Sequence, residues 1–399
     1  MASEKFKNLR NHMKTQQEMG YSLPHDELKS RAEGIKASYL TMLGVFLMAG
    51  EKQNENQKYH FQGLISGAQY NKTAQDILVD AENIEISDYE KFIEAFSKDQ
   101  LKYRWCFDSM TLSWLGEWSD EQMSFLADLM EELELSVEDV VYIKKQSKAL
   151  LEKDIKQYIE NELQRPNSIA EESIRTYAES SIGGSVLNTK DKLIIRMNKK
   201  TSVEGDWNPL WHGKEEVELE NIHFNGDMPQ FESSSSVYLK NCVFDRGRHT
   251  MKFLSKHITI EQCYFKDFNT CVLEFTEPQE VHITGSTFKQ CNCVDVNISD
   301  VCTIIRRVGM TEYPLRNCII DGCAFEWCNV KINVPFGSVN GIISNGSWSI
   351  KNSKFISCNS YYQLERSTEN YEKSQRSSLF TSGKYAYENV ELYDSARLG

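Results

Sequence analysis

The sequence predicts a two-domain chain of the α plus β class: an all-α N-terminal bundle followed by a parallel β-helix, or β-solenoid. Two observations predict it. Residues 1–165 carry no proline between Pro24 and Pro166, and their apolar residues recur at three- and four-residue steps. Between Val217 and Phe355, a short apolar repeat that ends in Phe returns six times without a gap inside any copy.

In the helical part, the periodicity predicts helices over 26–49, 55–69, 73–82, 87–97, 100–116, 119–133 and 136–163. Ser119-Asp120-Glu121-Gln122 is a capping box, and Ser136-Val137-Glu138-Asp139 opens a helix in a similar way. Leu28, Ala32, Ile35 and Tyr39 share one face, as a packed bundle with short turns requires.

Residues 166–212 read as a connector. Arg165-Pro166-Asn167-Ser168 opens it, and Ser180 to Ser185 reads as loop. Lys192 to Met197 reads as a short strand that caps the β domain.

The β domain is expected over 213–360. Its copies are Val217-Leu219-Ile222-Phe224, Val237-Leu239-Cys242-Phe244, Ile258-Ile260-Cys263-Phe265, Val281-Ile283-Ser286-Phe288, Cys318-Ile320-Cys323-Phe325 and Trp348-Ile350-Ser353-Phe355. The first two positions are two apart and so face one side of a strand. The next step is three residues, which flips the phase and demands a bend. At that bend stand Asn221, Asn241, Gln262, Gly285, Gly322 and Asn352. Asn and Gly tolerate the left-handed angles of a tight corner. The first four copies start 20, 21 and 23 residues apart, one turn of a solenoid each, and the later gaps of 37 and 30 residues imply projecting loops. This gives about six or seven coils, with 361–399 as a C-terminal cap or tail rich in Tyr.

Composition bounds the function. A net charge of -13 argues against a general nucleic-acid surface. The most apolar stretch, Tyr39 to Gly50, is too short to span a bilayer, and the N-terminus has no apolar core of a secretion signal. The chain therefore reads as cytoplasmic. Its 11 cysteines read as reduced, and those at repeat positions as packing residues. No phosphate-binding loop, nucleophile elbow or His-Glu-x2-His helix is present, so no cofactor is expected.

The repeat resembles the right-handed parallel β-helix, or pectin-lyase-like, superfamily, many members of which bind or cleave polysaccharides. In the helical half, Leu43 to Gly50-Glu51-x3-Glu55 and Met110 to Gly116-Glu117-x3-Glu121 are two related units. With Leu133-Glu134-Leu135-Ser136-Val137-Glu138-Asp139, they resemble the tellurite-resistance TerB-like helical family over roughly residues 30–145. That resemblance implies a bacterial stress or phage-defence setting and a divalent cation held by an acidic cluster. Ala49 and Leu115 stand where the family carries an acidic residue before the glycine. Glu51, Glu55, Glu117 and Glu121 are left as an oxygen-ligand set, or as solvated carboxylates at helix starts.

A β-helix enzyme would gather carboxylates on neighbouring coils. Asp245, Asp267 and Glu326 are the candidate acids and bases, with Lys266 and Lys289 near them. The same column equally describes a charge-paired solvent face. Arg246, Arg248 and His249 form the densest polar turn, suited to a phosphate or carboxylate. Arg306 and Arg307, beside the loop Gly309 to Pro314, are the preferred contact site, with the loop near Gly337 as a second. His212, His223, His257 and His282 read as isolated. No convergent polar site stands out, so the residues favour a non-enzymatic interaction or sensor protein with a protein partner. The alternative is a carbohydrate-active lyase or hydrolase. The oligomeric state is left open.

Overall fold

The computed structural model describes residues 22–50, 53–117, 119–170, 172–295, 301–308, 318–332, 339–363, 374–377 and 379–395. The chain divides into two compact units, helical up to Gly183 and β from Gly184 onwards.

Two of the expected helices are broken. The first is split into Asp26–Lys29 and Glu33–Met48, because Ala32 is extended and serves as the N-cap of the second piece. The last is split into Val137–Glu152 and Ile155–Glu162. Lys153 adopts a left-handed φ of 57°, and Asp154 caps the following helix by accepting from the Gln157 amide.

The helix Leu101–Trp114 is buried on every side from Leu101 to Ser113. It packs against helices Glu33–Met48, Glu55–Gly67, Val137–Glu152 and Glu172–Ile182. A helix so enclosed must satisfy its polar side chains internally. Ser109, Thr111 and Ser113 do so by donating to carbonyls four residues back.

The segment read as a connector is structured. It holds the helix Glu172–Ile182, an antiparallel hairpin of Gly184–Asn188 with Lys192–Val203, and the short helix Asn208–Trp211. Ser180 to Ser185 is therefore a helix end running into a strand, turned at Gly183 with φ 70°.

Among the described residues, eighteen strands join one sheet and four a second. In the large sheet, every pairing except the opening hairpin is parallel. The register follows the sequence repeat. Leu219, Leu239, Ile260, Ile283, Ile320 and Ile350 lie opposite one another on successive strands. So do Phe224, Phe244, Phe265, Phe288, Phe325 and Phe355. These rings are buried and stack with centroids 4.6–5.4 Å apart and planes within 10°. A second stack, of Trp211, Phe231, Phe253 and Phe275, has centroids 5.0–5.3 Å apart.

Each copy turns two left-handed corners. The first is the predicted column from Asn221 to Asn352, with φ between 48° and 65°. The second follows five residues later at Gly226, Arg246, Asp267, Gln290, Trp327 and Ser357. The same pair recurs at Asn389 and Asp394, so Tyr385 to Asp394 forms a further copy, with Leu392 opposite Phe355. Lys192–Val203 forms one at the other end. It pairs with Glu216–Asn225 on both arms, with a bulge between Arg196 and Thr201.

Ten of the cysteines are free and buried. The thiols of Cys242, Cys263, Cys291, Cys323, Cys328 and Cys358 donate to carbonyls of the preceding copy, as Cys242 does to Leu219 (3.3 Å) and Cys358 to Phe325 (3.2 Å). No helix among the described residues is long and apolar enough to cross a membrane.

Candidate functional site

The predicted carboxylates do not converge. Asp245, Lys266, Lys289 and Glu326 lie opposite one another on successive parallel strands. Two lysines thus separate the two acids by three strand spacings, about 14 Å at 4.8 Å each. That exceeds the separation that either glycosidase geometry uses. Glu326 pairs with Lys289 at 3.6 Å, and Asp267 with Lys266 at 3.2 Å. Asp267 and Arg246 also occupy second-corner positions with φ 56°, where their first task is to turn the backbone.

Arg306 is committed within the fold. It lies opposite Glu274 on the neighbouring strand and grips that nearly buried carboxylate with Nε at 2.6 Å and with Nη2. The loops at Gly309 to Pro314 and Gly337 lie outside the described residues, and Arg307 is half-buried at the strand's end.

Arg248 and His249 open onto a groove of about 590 Å³. A side chain at Gly247 would collide with the Phe268 ring, so the turn presses on the core while Arg248 and His249 stay exposed. The groove crosses four copies. Asp206 and Asn208 follow the copy at Lys192–Val203, Asp227, Gln230 and Glu232 follow that at Val217, Arg248, His249, Thr250 and Lys252 that at Val237, and Thr270 that at Ile258. Gln230 organises its floor. Its amide N–H donates to Asn208 Oδ1 (2.7 Å), its side chain donates to the Thr250 carbonyl (2.8 Å), and its Oε1 accepts from the Lys252 amide (3.1 Å). Thr250 and Thr270 hydroxyls meet at 3.3 Å. Exposed Asp227 and Glu232 therefore line the same groove as exposed Arg248 and Lys252, above a hydrogen-bonded floor. Such a surface suits a polar, hydroxyl-rich or zwitterionic ligand. Asp227 and Glu232 gave no sequence signal, because they fall between repeat positions.

Two of the histidines read as isolated flank one carboxylate. His257 Nδ1 and His282 Nε2 lie 3.5 and 3.2 Å from the two oxygens of Glu280.

A second polar cluster lies in the helical unit. Asp108 accepts from Tyr39 (2.8 Å) and Arg104 (3.0 Å) and contacts His25 Nε2 at 3.1 Å. Burial raises an acid's pKa, but Arg104, His25 and Tyr39 outweigh it and hold Asp108 down to about 2. Arg104 also donates to the Pro24 carbonyl and lies 5.2 Å over the Tyr177 ring. His60 stacks edge-on with Tyr177, and burial lowers its pKa to about 4. Through the Asp108 and Arg104 bonds, this cluster fastens Pro24 to Glu27 onto the central helix.

Of the four proposed cation ligands, Glu51 lies outside the described residues, and Glu55, Glu117 and Glu121 are exposed. No group of three or more His, Cys, Asp or Glu side chains among the described residues is placed to hold a metal ion. The two Gly-Glu units are instead joined through glutamines. Gln57 donates to the Leu112 carbonyl (3.0 Å), and Gln122 donates to that of Phe46 (3.3 Å).

Together these features define an α plus β protein: a helical unit with a buried ionic core, and a large parallel sheet that carries a polar groove. Compared with family models, curated proteins and solved structures, the chain finds no match.

Proposed function

We propose that the stacked parallel ladders wind into a right-handed parallel β-helix of the pectin-lyase-like kind, and that the protein is a non-enzymatic interaction protein. The solenoid is the rigid platform, and the helical, TerB-like unit is the docking or sensing domain. A bacterial stress-response or phage-defence role is proposed from the TerB-like resemblance. The observation that carries the reading is the column Asp245, Lys266, Lys289, Glu326, in which lysines stand where a hydrolytic pair would need a second carboxylate. The groove from Asp206 to Thr270 is the proposed contact surface.

Quantitative capture from the native host tests this, comparing the wild-type chain with an Arg248→Ala/His249→Ala variant. A partner retained by the first and lost by the second supports the platform. Equal recovery by both overturns the assignment of the groove.

One observation favours a second reading, a carbohydrate-active enzyme. Asp206, Asp227 and Glu232 lie in one groove with basic neighbours. Release of reducing or unsaturated ends from uronate polymers, abolished by Asp227→Asn or Glu232→Gln, would establish it in place of the platform.

A further inference from the structure

Among the described residues, the last copy leaves an open edge. Strand Phe380–Glu388 pairs with Val339–Lys351, and strand Glu391–Tyr393 with Lys354–Ile356. Neither has a second strand partner among the described residues. Strands of the inner copies, such as Ser236–Lys240, are paired on both sides. The open end also exposes large apolar side chains: Tyr387 at 38%, Leu392 at 37% and Tyr393 at 51%. An exposed edge of this kind is a template for another strand.

The residues along the edge specify which strand. Around Ala386 the sequence reads Lys384-Tyr385-Ala386-Tyr387-Glu388. In an antiparallel pair related by a two-fold axis at Ala386, Lys384 of each copy faces Glu388 of the other. Tyr385 faces Tyr387, and Ala386 faces itself without obstruction. Residues directly opposite share a face, so two ion pairs form on the outer face and two aromatic pairs on the inner one. The neighbouring two-fold registers lose this match. An axis at Tyr385 sets Lys384 against Ala386, and an axis at Tyr387 sets Glu388 against Ala386. Lys384, Ala386 and Glu388 are exposed in the single chain. Glu388 also pairs with its own Lys351 at 3.3 Å, so in the dimer it would bridge two lysines.

We propose that a second copy of this chain docks on the Phe380–Glu388 edge in antiparallel, two-fold register about Ala386. A closed, isologous contact of this type also caps both open edges against runaway pairing.

Sedimentation of the full-length chain tests the proposal through a charge swap. The wild type sediments as a reversible dimer. Lys384→Glu and Glu388→Lys each weaken it roughly tenfold or more, because two attractive pairs become repulsive. The double variant K384E/E388K recovers dimerisation. Circular dichroism checks the fold of each variant, and Lys384→Gln reads the same pair if the reversal disturbs folding. A wild type that stays monomeric at about 0.1 mM, single variants that dimerise like the wild type, or a double variant no better than the singles each overturns the proposal.

Discussion

The side chain of Gln57 donates to the backbone carbonyl of Leu112, 3.0 Å away and 55 residues further along the chain. Gln122 makes the matching bond to Phe46. Each glutamine is the N3 residue of a capping box, and its amide lies against the glycine that ends the other unit's apolar helix: Gly116 for Gln57 and Gly50 for Gln122. Asn54 and Ser119 add side-chain bonds to the carbonyls of Leu115 and Ala49. Two helix starts thus satisfy two helix ends by exchange.

Gly116→Ala breaks one half of this exchange. A Cβ there collides with the Gln57 amide, which must give up its bond to Leu112. The expected loss of stability is about 1–2 kcal/mol. Because both changes remove one bond, a Gly116→Ala/Gln57→Ala double variant costs less than the sum of the singles. Chemical denaturation of the four species measures the coupling.

Acid stability responds to His60. Its folded pKa, near 4, lies below the ordinary 6.5, so between those values the unfolded chain binds a proton that the folded chain refuses. Stability therefore falls as pH drops through 6.5 and the loss is complete near pH 4, at about 3 kcal/mol. His60→Gln flattens this limb of the pH profile. The depressed Asp108 acts lower down. Its contribution is present above the ordinary carboxylate value of 3.8 and is lost as pH falls towards about 2. Denaturation midpoints across pH 2 to 7 separate the two.

The phenylalanine stack carries stability rather than recognition. Phe288→Ala opens a cavity between Phe265 and Phe325, in a fully buried column, and costs about 3–5 kcal/mol. Phe288→Leu costs less. Thermal or urea unfolding checks the order.

Arg306 and Arg248 separate structure from binding. Arg306→Ala strands the nearly buried Glu274 without its partner and destabilises the chain by about 2–3 kcal/mol. Arg248→Ala changes an exposed groove residue and shifts stability by less than about 0.5 kcal/mol. It weakens partner capture all the same. Melting curves run beside the capture assay distinguish the two arginines.

The sequence alone determined the repeat. Its apolar spacing, the Asn and Gly of the first corner and the terminal Phe are local constraints of strand pleat, left-handed backbone and burial, and they can be read within one copy. Where the local pattern weakened, so did the reading. The copy at Tyr385 to Asp394 replaces Phe with Leu392. The second corner accepts Arg246, Asp267 and Trp327 and so has no composition of its own. Tertiary structure alone decided which charges are spent and which are available. Arg306 meets Glu274 across 32 residues, and His25 meets Asp108 across 83. Lys289 takes Glu326 because parallel register brings two distant copies side by side. An ion pair depends on the distance between two side chains in space, and no local period encodes that distance. For this reason the polar turn at Arg248 and His249 was legible in the sequence, while the groove that joins it to Asp206, Asp227 and Glu232 emerged only from the fold.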